Sequence, residues 1–366
     1  MRPFSIDVPQ SDVLDLRARL RSTRWPEPAS VDDWAQGVPL DYVRDLCGYW
    51  ADGYQWYDRQ ARFNDFDQFV TDIDGLRVHF LHVRSVRPRA LPLVLTHGWP
   101  GSFVEFIDVI EALTETFHVV VPSLPGFGWS GKPANRGWGV QRIADAWSTL
   151  MGSLGYDRFG AQGGDWGSLV ATQLAVRHPD RVVGIHLNMV YADPPHQQTQ
   201  FTTREREALL KIEHYRRADS GYARIQGTRP QTLGYGLMDS PAGLCAWILD
   251  KFWAWTDCEG DPVGVLGPDR LLDNIATYWF SGTAASAARL YWESIEMPYA
   301  GADAVSVPTG VSLFPKDIYL PPQEWVASRY RDVRMWHELD SGGHFAAMER
   351  PMTFVDEVRA FFEGAL

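Results

Sequence analysis

Between positions 91 and 187 the chain alternates short apolar runs of strand length with helical spans, and few folds admit that alternation. Runs at 91–96 and 118–121 are separated by a helical span at 103–113. A helical span at 140–154 precedes a third strand at 159–162, a helix through Leu169, Leu174 and Val176 follows Asp165, and 182–187 is a fourth strand. Parallel strands need long crossovers and helices supply them, so this order predicts an α/β fold with a mostly parallel sheet and helices on both faces. Ligands of such sheets gather at the carboxyl ends of the strands. The residues just past each strand are therefore the candidates for chemistry.

The flanks have other textures. Positions 68–73 and 76–83 read as an antiparallel hairpin about Asp74-Gly75. From Tyr191 to about 299 the strands stop and the chain becomes helical and aromatic (Trp247, Trp253, Trp255, Trp279, Trp292), which predicts an inserted helical lid; runs at 311–314 and 333–336 restore the strand pattern and a helix at 354–362 closes it. Upstream, Val13, Leu14, Leu16 and Leu20 have helical spacing with Ser11 as the expected cap and Trp25-Pro26 as the stop. A second helix is expected around Tyr42, Val43, Leu46 and Trp50. With Trp25, Trp34, Trp50 and Trp56 to bury, this meander must pack on something larger. The expected division is 1–70 meander, 71–190 core, 191–300 lid and 301–366 core.

Composition excludes several function classes. Lys and Arg total 34 against 46 Asp and Glu, a net charge of −12 over 366 residues, so a nucleic-acid partner is repelled at long range. Cys47, Cys245 and Cys258 are too few and too scattered for a disulfide framework, which fits a reducing compartment. No run reaches the 18 or so apolar residues of a membrane helix, and the start lacks a signal-peptide pattern, so a cytoplasmic location with no membrane partner is expected. Sixteen Trp, 14 Tyr and 18 Phe leave two readings open: core alone, or partly the lining of an apolar ligand pocket.

The chemistry centres on Gln162-Gly163-Gly164-Asp165-Trp166-Gly167-Ser168, where an acidic residue sits between strand and helix with glycines two positions away on each side. That is nucleophile-elbow spacing: small flanking residues let strand and helix approach while the central side chain is lifted clear of the sheet. Asp165 as a plain helix N-cap would explain the acid but not the glycines. No Gly-x-Ser-x-Gly occurs, so a serine esterase has no nucleophile here. His97-Gly98-Trp99-Pro100-Gly101-Ser102 follows the first parallel strand and offers the Trp99 N–H to pair with the Trp166 N–H around a developing oxyanion. Ser341-Gly342-Gly343-His344-Phe345 puts a histidine on a turn after the last strand. The acid that orients it should follow the strand between them: Asp317 is favoured over Asp340, which is too near His344 to come from a neighbouring strand.

Other histidines carry less. His79 and His82, three apart on a strand, face opposite ways and cannot share a metal; His97 is read as ordering its loop; His118, His178, His186, His196, His214 and His337 have no companion signal. Phosphate-loop and dinucleotide fingerprints are absent, since Gly126-Phe127-Gly128 follows Pro125 and does not open a helix. No cofactor and no metal are expected.

Four segments together resemble a known family: His97 to Ser102, Pro122-Ser123-Leu124-Pro125-Gly126-Phe127-Gly128, Gly163 to Ser168, and Gly342-Gly343-His344-Phe345-Ala346-Ala347 look like signatures of the α/β-hydrolase-fold epoxide hydrolases, in their microsomal and juvenile-hormone branch. The likeness spans nearly the whole chain. Pro3-Phe4 and Arg24-Trp25-Pro26 resemble that branch's N-terminal meander. Ser220-Gly221-Tyr222 and Arg289-Leu290-Tyr291-Trp292-Glu293 are similar to lid segments that hold two epoxide-activating tyrosines, and Val307-Pro308-Thr309-Gly310 leads to the acid position, here Asp317. With Asp at that position, and with no membrane anchor in the sequence, the chain looks like the soluble bacterial and fungal members. The resemblance implies that Asp165 opens an epoxide as an enzyme-bound ester, His344 and Asp317 activate water, Trp99 and Trp166 form the oxyanion hole, and Tyr222 and Tyr291 protonate the leaving oxygen. The aromatic lid implies a small apolar substrate, aryl-bearing in particular. A haloalkane dehalogenase and a non-catalytic binding protein of the same fold remain as alternatives, and the oligomeric state stays open between monomer and homo-oligomer.

Overall fold

A computed structural model describes residues 1–195, 198–294 and 303–365. Its sheet has nine strands: β1 (Arg2–Phe4), β2 (Gln68–Ile73), β3 (Leu76–Val83), β4 (Leu91–Thr96), β5 (Phe117–Pro122), β6 (Phe159–Gly163), β7 (Val182–Leu187), β8 (Thr309–Leu313) and β9 (Val333–Glu338), in the order β1-β2-β3-β5-β4-β6-β7-β8-β9. Pairings from β1 to β5 through β3 are antiparallel and those from β5 to β9 are parallel. Leu93, Val94, Leu95, Val119, Val120, Val121, Ile185 and Val311 are fully buried, as continuous apolar runs should be when helices cover both faces. This is the α/β-hydrolase fold. Between β4 and β6 the order reverses, since β4 connects to β5 on one side and β6 to β7 on the other. Such a switch point opens a crevice at the carboxyl ends of the strands, and residues 97–102 and Asp165 lie there.

The hairpin and strands β4 and β7 have the expected bounds. Three local expectations do not hold. The first helix runs Gln10–Arg21 behind Pro9, and Ser11 bonds Asp12 and does not cap it; Pro9 is preset for the turn that enters a helix, so the cap shifts two residues upstream. Positions 103–113 split into a short turn Phe103–Phe106 and a helix Ile110–Thr114, because Asp108 between them is held by Arg62 from the meander and Arg270 from the lid. The meander also contributes β1, which pairs Arg2 with Val70 at the sheet edge. Three residues are too short for a period to register.

Between β7 and β8 the regular elements among the described residues are helices, including Thr203–His214, Gly221–Thr228, Pro241–Trp255, Pro268–Ser281 and Ala284–Ser294. Proline at the first turn starts several of them, where its missing N–H costs nothing. The expected boundary at 300/301 lies outside the described residues. The meander packs on this lid: Trp34 stacks on Trp253 at 4.8 Å, Tyr42 donates to Asp261 at 2.6 Å, and Tyr54 and Arg59 both bond buried Asp273.

Candidate active site

Asp165 sits between β6 and the helix Trp166–Arg177 with φ 49° and ψ −130°, left-handed backbone that a non-glycine residue adopts at a cost of about 1–3 kcal/mol. The glycines make the turn possible. A Cβ on Gly163 would run into the Gly167 carbonyl, and one on Gly167 into the Thr96 carbonyl. The side chain is buried, and its Oδ1 accepts the Trp99 N–H at 2.7 Å. Burial raises the Asp165 pKa above the ordinary carboxylate value, opposed by the charge on His344 and by hydrogen bonds from the Trp99 and Trp166 amides.

His344 Nδ1 bonds Asp317 Oδ1 at 2.7 Å and its Nε2 lies 3.6 Å from Asp165 Oδ2. Asp317, fully buried just past β8, also accepts the Ile318 N–H at 2.6 Å. Asp340 is exposed. Burial would depress the imidazole, but the Asp317 charge and hydrogen bond, with smaller contributions from Asp165 and Glu105, lift it to about 9. The histidine turn is tied to the lid, since the His344 N–H donates to the Trp255 carbonyl at 2.8 Å. Glu349 braces the same turn by accepting the Phe345 and Asp257 N–H groups, and burial pushes its carboxyl up to about 7.

The loop that carries the Trp99 N–H is also clamped from the lid. Asn274 Nδ2 donates to the Pro100 carbonyl at 2.7 Å, Ser102 Oγ donates to Asn274 Oδ1 at 2.8 Å, and Tyr278 OH donates to the Gly101 carbonyl at 2.7 Å. His97 Nε2 accepts the Leu124 N–H at 3.2 Å and so joins two loops. A Cβ on Gly98 would strike the Asp165 carboxylate.

Tyr222 and Tyr291 come from separate lid helices and meet over Trp99, whose N–H Asp165 accepts. Tyr222 stacks on Trp99 (4.7 Å, 9°), and its hydroxyl shares a 3.0 Å hydrogen bond with that of Tyr215. Tyr291 meets Trp166 edge-on at 4.7 Å and Trp99 at 5.9 Å, and the two tyrosine rings are 5.8 Å apart. Burial, foremost, and the Asp165 charge keep both phenols well above their usual pKa. Lys251 lies 5.1 Å from the Tyr222 ring and 5.6 Å from that of Trp255. It is paired with Asp219, which also accepts from Trp255 Nε1.

The sequence put seven residues forward, and Asp165, His344, Asp317, Tyr222, Tyr291, Trp99 and Trp166 converge on one crevice. It missed Glu105, Asn188, Tyr215, Lys251, Asn274 and Tyr278. Glu105 had a signal, because Ser102-x-x-Glu105 spells a capping box; Ser102 does accept from Val104 N, while the glutamate turns toward Asp165. The others had none. His79 bonds Ser123 and Gln68, while His82 bonds Tyr156. His118 accepts from Ser85, and His178, His186 and His337 pair with Asp145, Ser312 and Glu357. His196 lies outside the described residues. Among the described residues no group of three or more His, Cys, Asp or Glu is arranged for a metal ion, and no helix is long and apolar enough to cross a membrane.

Two family models match the chain, epoxide hydrolase N terminus over residues 1–106 and alpha/beta hydrolase fold over residues 92–221. A Stigmatella aurantiaca protein named for epoxide hydrolysis is 47% identical over 371 residues, covering 98% of this chain and 84% of that one. Epoxide hydrolase 1 of Oryctolagus cuniculus is 33% identical over 401 residues, covering 99% and 88%. Among solved structures, Aspergillus niger epoxide hydrolase is similar with a TM-score of 0.91 at 32% identity, covering 100% of this chain and 96% of that one. Juvenile hormone epoxide hydrolase from the silkworm Bombyx mori gives 0.90 at 31% identity, covering 98% and 92%.

Proposed function

Because this chain belongs to the epoxide hydrolases of the α/β-hydrolase fold, we propose that it converts an apolar, aryl-bearing epoxide to a vicinal diol through an ester on Asp165. One observation carries the reading: a buried carboxylate on the elbow, with Oδ1 in the grip of the Trp99 N–H and Oδ2 3.6 Å from His344 Nε2. An epoxide has no carbonyl, so the nucleophile must attack carbon. A serine would end as an ether; a carboxylate ends as an ester that water can cleave.

Asp165 Oδ2 attacks a ring carbon and the C–O bond of the ring breaks. The leaving alkoxide takes a proton from Tyr222 or Tyr291, phenols whose burial keeps them protonated until so strong a base appears. Once Asp165 is esterified its charge is gone, and His344 loses one of the influences that hold its proton. The proton passes to the tyrosinate, leaving a neutral imidazole oriented through Nδ1 by Asp317. His344 takes a proton from water as the oxygen attacks Asp165 Cγ, and the Trp99 and Trp166 amides stabilise the oxyanion. Collapse breaks the ester C–O bond, the proton left on the added oxygen passes to the departing diol oxygen, and Asp165 and protonated His344 are the starting ion pair again.

Single-turnover reaction in heavy-oxygen water should leave the new diol oxygen unlabelled and place label in the Asp165 carboxylate. Label in the diol under those conditions would refute the ester. Assaying diol and halide from epoxide and haloalkane panels separates this activity from dehalogenation, since halide leaves without a proton and needs neither tyrosine. The buried thiols of Cys47, Cys245 and Cys258, all free, support a reducing, cytoplasmic setting.

A further inference from the structure

Glu105 has no part in the steps above, yet it borders the reacting atoms. It lies in the turn Phe103–Phe106, and its carboxyl folds back beneath the oxyanion loop, into space that a side chain on Gly101 would fill. Part of the residue reaches solvent, but the carboxyl faces inward. With Asp165, His344 and Asn188 it lines a small void behind the nucleophile that leaves about 10 Å³ for the centre of a water molecule, roughly what one buried water takes up. A buried water wants two to four polar partners, and four polar side chains border this void. Asn188 Oδ1 is taken by Gln162 Nε2 at 2.7 Å, which leaves its Nδ2 as a donor. His344 Nε2 is the atom on that ring not bound to Asp317.

We propose that this void is the seat of the water that hydrolyses the Asp165 ester, with Glu105 as its positioning residue. The inference rests on the ester reading. Water donates one hydrogen to His344 Nε2 and the other to the Glu105 carboxyl, and Asn188 Nδ2 donates to one of its lone pairs. The remaining lone pair points to Asp165 Cγ. On attack the first proton moves to His344, the oxygen–carbon bond forms, and the second proton stays on the oxygen. Charged and titratable groups face Glu105 from several elements: Asp165 from the elbow, His344 from the turn after β9, and Tyr278 from the lid. Burial, foremost, and the Asp165 charge push its carboxyl up to about 8, against His344 and the Gly98 N–H. At pH 7 the resting residue is thus mostly a neutral acid whose carbonyl oxygen can accept, and glutamine reproduces both its charge and that acceptor.

The test is rapid-quench kinetics at pH 7 with intact-mass detection of the Asp165 adduct, comparing wild type, Glu105→Ala, Glu105→Gln and His344→Gln. Glu105→Ala should slow ester hydrolysis about tenfold or more and leave alkylation within about threefold, so that adduct accumulates; losing a polar partner of about 1.5 kcal/mol predicts that size. Glu105→Gln should restore hydrolysis to within about threefold of wild type. A merely structural role would slow both steps and would not separate Ala from Gln. Equal loss in both steps, no loss, or equal loss in Ala and Gln overturns the proposal. Should Glu105→Ala not fold, Asn188→Ala across the same void must show the same hydrolysis-selective loss, and its absence overturns the proposal equally. His344→Gln tells the two readings apart: no adduct there defeats the ester itself, whereas adduct there without a Glu105 effect defeats only the water seat.

Discussion

The floor of the crevice and its lid hold their side chains by different means. On the floor, Asp165, His344 and Asp317 are fixed by strained backbone, short loops and hydrogen bonds of 2.6–2.7 Å. In the lid, Tyr222 and Tyr291 are oriented by ring packing on Trp99, Trp166 and each other, and the Tyr222 hydroxyl shares a hydrogen bond with that of another tyrosine, Tyr215. Hydrogen bonds and strain set an atom's position within tenths of an ångström, as a nucleophile and its base require. Aromatic packing sets a ring's plane and constrains the position of its hydroxyl less tightly. The contrast predicts that floor lesions act on ester hydrolysis and lid lesions on ester formation.

The largest effect should come from the floor. Asp317→Asn should lower turnover by about 10⁴-fold, the scale on which loss of the tautomer-setting acid is felt in serine hydrolases, with adduct accumulating; Asp340→Asn, altering an exposed group, is the control expected to stay near wild type. The same pair has a stability signature. His344 has a folded pKa near 9 against an ordinary 6.5, so its charged pairing stabilises the fold fully below about pH 6.5 and is lost as pH rises through 9. The melting-temperature gap between wild type and Asp317→Asn should therefore be widest at low pH and narrow toward pH 9.

Next come the lid tyrosines. Tyr222→Phe and Tyr291→Phe should each slow alkylation by about 10²-fold, the low end for a lost general acid, and the double variant should lose nearly all epoxide turnover while staying folded. Rapid-quench alkylation that stays at the wild-type rate in the double variant would break the contrast. The clamp between the regions should give a smaller effect: Asn274→Leu removes both bonds to residues 100 and 102, and kcat/KM should drop about tenfold with about 1–3 kcal/mol of stability. Loss of ester hydrolysis alone would put that clamp with the floor. The smallest effect on rate belongs to Arg59→Met at the meander, which takes the ion-pair partner from buried Asp273 and leaves it the Tyr54 hydroxyl, and should cost about 3 kcal/mol by chemical denaturation. Per folded molecule its turnover should stay near wild type.

How far each region could be read in advance follows the same division. Strands β4 and β7 and the hairpin were legible to the residue because their periods and turn are local. The elbow was legible because glycine spacing states a steric demand. Tyr222 and Tyr291 stood out by family likeness alone: a lid tyrosine among 14 in the chain carries no local mark. Positions 103–113 misread as one helix because the break is set by Asp108's partners, 46 and 162 residues away.

By itself the sequence determined the sheet's alternation, the turn that lifts Asp165, and the placing of Asp165, Asp317 and His344 just past β6, β8 and β9, because each depends on backbone geometry within a few residues. Only the tertiary structure decided that Asn274 and Tyr278 hold the loop of residues 97–102, that Trp255 anchors the histidine turn, that two tyrosines 69 positions apart share one ceiling, and that Glu105 turns toward Asp165. These are contacts between groups distant along the chain. They exist only once the core has closed, and residue type at one position cannot encode which partner closure will bring.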